Sequence, residues 1–329
     1  MAWHTAARHR FPGPGEDASW SAEETAVLAD AVSRAPSVHN TQPWSLRVEG
    51  RRAVLEQRDE APLREHDPHG RDARLSCGAA VANLAIAVRA LGWSPEIRWR
   101  PSAASTATVT ARGRQPVTPL DRERLRALAR RSSHRRAFAA RPVPALTRTA
   151  VLAAATAPVA WLEGRETARE VAELLGYAAR VHRDDAGYQR ELAEWTGRSR
   201  DAGLAPGALA ASGAPAAGLA GPAARVPDEH RLAERLSAEL VLVFGAGGDG
   251  PREQLQVGES AERAWVEATR LGLVGSVMTQ PLRLPEVRSG VRAALGMSGE
   301  PHLVLRLGYP AADGVPRSGK RPLPDVLTD

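Results

Sequence analysis

Two stretches of this 329-residue chain, 180 positions apart, read alike. Leu75, Gly78, Leu91, Gly92 and Pro101 return as Leu255, Gly258, Leu271, Gly272 and Pro281. In both, a long helical pattern ends in Leu-Gly and leads to a strand pattern. A second echo pairs AVLADAVSRAP (26–36) with AVLAAATAP (150–158). A repeat constrains the fold more than any single motif, because each copy is one unit whose apolar face needs cover. The two echoes together predict an α+β fold of two related halves, 1–115 and 116–329.

Local signals fill in the elements. Ser21 and Glu24 have capping-box spacing, and the helix they open ends before Ala35-Pro36. Alternation predicts strands at 45–49 and 53–57 around Gly50-Arg51-Arg52, then at 96–100 and 107–111. A long helix is expected over 72–91. The second half predicts helices from Thr118 or Asp121 to Arg130, then over 145–157, 166–182, 186–195 and 253–271. Its strands are expected at 239–244 and 302–307. Residues 204–224 are rich in Ala, Gly and Pro, and read equally as a mobile loop or lid and as a disordered insertion.

Charge excludes little by itself. The chain has 44 basic against 38 acidic residues, a net charge of +6, and Lys320 is its only lysine. The arginines are spread out and interleaved with acids, which is unlike a nucleic-acid reader. No stretch reaches the ~18 uninterrupted apolar residues of a membrane helix, and residues 1–11 lack the apolar core of a secretory signal. Cys77 is the sole cysteine, so no internal disulfide is expected and the cytoplasm is the default location.

Several motifs have bland readings. Gly245–Gly250 satisfies a dinucleotide-type glycine spacing, but no βαβ pattern with an acidic strand end follows, so a glycine-rich turn is expected. His66, Asp67 and His69 read as an Asp-Pro turn rather than a metal site. No nucleophile elbow is present, and Cys77 fits a core position.

Two polar segments stand out. Pro36–Trp44, PSVHNTQPW, holds amides between two prolines, suited to a planar heterocycle edge. Arg130–Phe138, RRSSHRRAF, concentrates guanidinium forks and hydroxyls suited to phosphate.

APSVHNTQPW (35–44) closely resembles the APSxxNxQPW segment of the FMN-dependent nitroreductase superfamily, and the cluster at 130–138 resembles that superfamily's RRSxR-type phosphate segment. The helix blocks at 75–92 and 255–273 are similar to its core helix. With GRDARLSCGAAV early and TQPLRLPEVR late, the chain looks most like the Acg-type branch, in which two subunits of the usual homodimer are fused. The first half carries the polar loop and the second the arginine cluster. The resemblance therefore implies one composite FMN site per chain, in a monomer acting as a pseudo-dimer.

The same resemblance assigns residues. Ser37, His39, Asn40 and Gln42 would line the isoalloxazine. Arg131, Ser133, Arg135 and Arg136 would hold the phosphate, approached also by Arg317, Lys320 and Arg321 of the tail. Thr279 and Gln280 would run beside the reactive N5, where many reductases have Glu-Gly. No side chain is assigned catalysis and no metal is expected, since the flavin carries the chemistry. The expected activity is ping-pong hydride transfer from NAD(P)H to a nitro compound, quinone or similar planar acceptor. A flavin-sequestering stress protein and a flavin-dependent dehydrogenase tailoring a natural product are the alternatives.

Overall fold

Ser21 opens the first helix as its spacing requires. Its hydroxyl accepts the Glu24 backbone N–H at 3.1 Å, and the Glu24 carboxylate accepts the Ser21 N–H at 3.0 Å. The computed structural model describes residues 19–329 apart from 59–62, 101–105, 199, 211–212, 226–227, 312–316 and 329.

After α1 (Ala22–Ser33) come β1 (Trp44–Glu49), β2 (Arg52–Gln57), α2 (Arg71–Ala90), β3 (Trp93–Trp99), β4 (Ala107–Arg114) and α3 (Pro119–Arg130). The chain continues through α4 (Ala145–Ala153), β5 (Val159–Trp161), α5 (Arg165–Asp184), α6 (Ala186–Trp195), α7 (Ala214–Gly218) and α8 (Glu229–Ala238). It closes with β6 (Leu240–Ala246), α9 (Pro251–Arg270), β7 (Val274–Met278), α10 (Pro285–Ala294), β8 (Glu300–Gly308), α11 (Leu323–Val326) and β9 (Leu327–Thr328).

The strands form two sheets with one plan. Their orders are β3-β4-β2-β1-β9 and β5-β6-β8-β7. Matching β1 with β5, β2 with β6, β3 with β7 and β4 with β8 gives the same sequence of neighbours in each sheet, all antiparallel. α2 and α9 each join the second of these strands to the third. The duplication seen in the sequence is therefore a duplication of topology. Two features break it. Helices α5 to α8 fill the connection between β5 and β6, where the first sheet has a tight turn at Gly50-Arg51. The tail crosses to the first sheet, where β9 adds parallel to β1.

α2 and α9 pack against each other at the centre. Gly78 lies under the Leu255 carbonyl and Gly258 under the Leu75 carbonyl, so close that a Cβ at either position would collide with backbone. α2 is apolar enough on average to cross a membrane, although no uninterrupted apolar run was visible in the sequence. Here it is a core helix, with Leu84 and Val88 packed among Leu28, Trp44 and Leu55. Around α9, Trp265 and Ala268 meet Phe244 and Leu305 of the second sheet. The described residues of 204–224 are largely buried: Leu204, Ala208 and Leu219 pack on Tyr188 and Leu192, while Ala214, Ala217 and Ala220 join the core beside α5.

Candidate functional site

A cavity opens where the two halves' polar segments meet. Its walls come from Ser37 and His39 of the first loop, Ser133 and Arg135 of the arginine segment, Gly218-Leu219, and the 277–280 turn, above facing residues of α2 and α9. Its empty space is about 740 Å³, open solvent at the mouth included.

The first loop is shaped by strain. His39, Asn40 and Gln42 all take left-handed backbone angles, with φ of 44°, 57° and 51°. That is rare outside glycine and must be held by surrounding bonds. Ser37 Oγ accepts the Gln42 N–H at 3.0 Å, and Ser76 Oγ accepts the Val38 N–H at 3.1 Å. The curl turns His39 into the cavity and the two amides away from it. Asn40 Nδ2 donates to the carbonyls of Gly203 (3.2 Å) and Gly319 (3.0 Å). Gln42 Nε2 donates to the Asp201 carbonyl at 2.6 Å, and its Oε1 accepts the Arg321 N–H at 3.0 Å. Asn40 and Gln42 therefore do not line the cavity. Their side chains are spent fastening the tail and the 201–203 turn.

The arginine segment is tied to β7: Ser133 bridges Gly275, whose carbonyl accepts the His134 N–H at 2.7 Å. This delivers Ser133 and Arg135 to the cavity and leaves Arg136 exposed on the outside. Arg131 goes elsewhere. It is buried against Glu262, with Nε 3.1 Å from Oε1, and donates to the Arg34 carbonyl at 2.7 Å. Glu262 answers its charge, although its Nε and Nη1 make no hydrogen bond with the described residues. Arg135 differs: half-buried on the cavity wall, it makes no ion pair or hydrogen bond with any described residue. Burial lowers it to about 10, yet a guanidinium stays charged at neutral pH. A cation drawn partly out of water without a carboxylate carries a cost that an anion would offset.

The tail's cations face carbonyls rather than the cavity. Arg317 donates to Ala129 and Arg130, Lys320 to Ala35 and Arg321 to Gln42. Burial pushes Lys320 down to about 7 and Glu262 up to about 7. Thr279 and Gln280 border the cavity, but their side chains bond Asp72 Oδ2 at 2.5 and 2.8 Å. Arg71 donates to the carbonyls of Thr279, Leu282 and His302, fixing the same turn from below.

Across the pseudo-twofold lies a second cleft. Ile97 and Trp99 line it, 180 positions before the cavity residues Val277 and Thr279. Gln256 and Glu259 stand where the cavity has Ser76 and Ala79, and Pro158 where it has Pro36. Glu259 accepts Thr156 Oγ1 at 2.7 Å and is paired with Arg263. No arginine is among the cleft's described lining residues.

No protein-family model matches the chain. It is 31% identical over 314 residues, covering 93% of this chain and 91% of the relative, to "Putative NAD(P)H nitroreductase Rv3131" of Mycobacterium tuberculosis (strain ATCC 25618 / H37Rv). To "Putative NAD(P)H nitroreductase acg" of the same strain it is 26% identical over 319 residues, 92% of this chain and 96% of the relative. This chain belongs to the nitroreductase superfamily, in its Acg-type branch. Among solved structures, the FMN and NADPH-dependent nitroreductase NfnB from a Sphigopyxis strain aligns with a TM-score of 0.38 at 19% identity, covering 62% of this chain and 97% of that one.

With His66 behind His39, the cavity residues that motif reading missed are Asp72, Glu262 and Trp265. The last two carried a signal. Gly258, Ala261, Glu262 and Trp265 follow i, i+3, i+4, i+7 spacing, so the helix face marked by the repeated glycine also faces the cavity.

Proposed function

We propose that this chain is an FMN-dependent NAD(P)H oxidoreductase that carries one FMN in the cavity between its halves, which meet near residue 115. Its electron acceptor is a nitro compound, a quinone or a similar planar molecule. It works as a monomer in the cytoplasm, its two halves standing in for two subunits.

The observation that carries this reading is Arg135, a half-buried cation without a partner among the described residues, in a cavity floored by small and apolar groups such as Ala79, Gly258 and Ala261. That donor set fits a planar ring with an anionic tail. FMN supplies hydride acceptance and donation when bound. The protein's part is to bind and orient. Arg135 and Ser133 would hold the phosphate, while Ser37, His39 and the 277–280 backbone would border the ring. Leu75, Trp265 and Leu303 keep water from it. Asn40, Gln42, Arg131, Arg317, Lys320 and Arg321 act from behind, holding loop and tail in place. One FMN rather than two is the reading that the second cleft favours, where Glu259 occupies the position of Ala79 and no arginine is among the described lining residues. The names of the relatives point to the same electron donor.

One observation favours a second reading, flavin sequestration without turnover. Gly218, the last residue of the buried α7, and Leu219 form part of the cavity wall and narrow the approach of a nicotinamide. A single experiment separates the two. The FMN-loaded protein is mixed anaerobically with NADH or NADPH, then with nitroaromatic and quinone acceptors. Bleaching and recovery of the flavin band over repeated turnovers is expected. A flavin that bleaches in light but resists both nicotinamides would replace the first reading by the second.

A further inference from the structure

The cavity wall also holds an imidazole that an anion site does not require. His39 lines the cavity with its ring buried, edge-on to His66, the centroids 4.3 Å apart at 74°. His39 Nε2 faces His66 Nδ1. On its other side, His66 Nε2 lies 2.8 Å from the Tyr188 carbonyl oxygen. A carbonyl has no hydrogen to give, so His66 Nε2 carries the hydrogen of that bond.

Both rings are neutral near pH 7. Burial holds His66 at about 4, with Arg283 and His182 adding to the depression and the Tyr188 carbonyl and Glu191 opposing it. Burial also holds His39 well below 6.5, helped by His66, Arg135 and Arg283. The Glu191 carboxylate accepts the backbone N–H groups of Glu65 and His66. A neutral imidazole has one N–H. His66 Nδ1 is therefore a lone pair, and the hydrogen between the rings belongs to His39 Nε2. That leaves His39 Nδ1 as a lone pair too, and no described residue donates to it.

We propose that His39 is a hydrogen-bond acceptor of the cavity, held in its Nε2–H tautomer by His66 and the Tyr188 carbonyl, so that the site selects a ligand presenting an N–H or O–H beside Arg135. The arrangement is rigid. His66 is stacked on Tyr188 at 3.7 Å, and Tyr188 on His182 at 4.6 Å, which hinders a ring flip. His39 itself is pinned by its left-handed backbone between Val38, bonded to Ser76, and Asn40, bonded to Gly203 and Gly319. His39 is thus a positioning and selecting group rather than a proton donor, having no second hydrogen to give.

The tautomer does not depend on which ligand binds; the choice of FMN as probe rests on the flavin reading above. The test is the 15N spectrum of the histidine rings in the full chain, free and with FMN. In the free protein, His39 is expected as a single tautomer with Nε2 protonated and Nδ1 bare. In His66→Phe it is expected to become a mixture. On adding FMN, the Nδ1 resonance should move in the direction of an accepted hydrogen bond, and His39→Leu should bind FMN about tenfold more weakly. An Nδ1–H or imidazolium form in the free protein overturns the proposal, as does an Nδ1 resonance unmoved by saturating FMN. Failure of FMN to bind at all would count against the flavin reading, and the free-protein tautomer would still uphold or overturn this one.

Discussion

Gly78 and Gly258 each lie under a backbone carbonyl of the other's helix, Gly78 beneath Leu255 and Gly258 beneath Leu75. The two contacts exchange under the shift of 180 positions that relates the halves of the sequence. Such reciprocity is the mark of a twofold interface, in which residue i meets j and j meets i. Here both sides lie on one chain. The crossing also sets the floor of the cavity, since Gly258 lines it and Leu75 stands beside it.

Adding a methyl at either glycine should force the central helices apart. Gly78→Ala and Gly258→Ala are each expected to cost about 3 kcal/mol, the upper part of the overpacking range. Gly113→Ala, where a Cβ meets nothing within 4 Å, should stay within about 0.5 kcal/mol. Urea midpoints at constant m check this.

Arg135→Leu should move two quantities in opposite directions. FMN affinity is expected to fall by about a hundredfold or more, because a phosphate would lose its partner. The FMN-free protein is expected to gain about 1 kcal/mol, because a half-buried, unanswered charge is removed. Titration by flavin fluorescence and urea unfolding of the free protein measure the pair. Arg136→Leu, on an exposed residue, should change neither.

Most elements were legible in the sequence because their signals are local. The capping pair Ser21/Glu24, the Ala35-Pro36 stop and the Leu-Gly ends of α2 and α9 are set by neighbouring residues. The cavity's composition was legible only in part. Ser37, His39, Ser133, Arg135, Thr279 and Gln280 do line it. Asn40 and Gln42 do not, because three left-handed residues within four positions, His39, Asn40 and Gln42, change which side chains point inward, and no alternation pattern reports that. Arg131 was drawn off by Glu262, 131 positions away, and such a pairing has no local signature. The described part of 204–224 packs because Ala and Gly let its backbone approach α5, a property that composition alone shares with open loops.

Gln42→Ala should release the tail. It removes the bonds to Asp201 and to the Arg321 backbone while leaving the cavity lining intact. A loss of about 1–2 kcal/mol is expected. Limited proteolysis should cut within residues 317–328 faster than in the parent protein, at unchanged cleavage elsewhere. Equal rates would show that the tail is held by other contacts.

His66 makes stability depend on pH in a defined window. Its folded form is held at about 4 against 6.5 in the unfolded chain. Between these values the unfolded state binds the extra proton, so stability is fully present above about 6.5 and is lost as pH falls through about 4. The contribution is about 3 kcal/mol for a shift of this size. Asp67 works in the opposite sense: burial and Asp72 raise it to about 7, so its contribution is present at low pH and lost as pH rises through about 7. The comparison that isolates His66 is the slope of stability against pH from 6.5 to 4, which should be shallower in His66→Phe than in the parent.

The central claim is that two halves of one chain enclose one flavin. The direct measurement is the amount of FMN bound at saturation per chain, read from absorbance after release, together with the mass of the holoprotein in solution. One FMN per chain in a monomer, bound about a hundredfold more weakly in Arg135→Leu, is the predicted result. Two FMN per chain, or one shared between two chains, would contradict it.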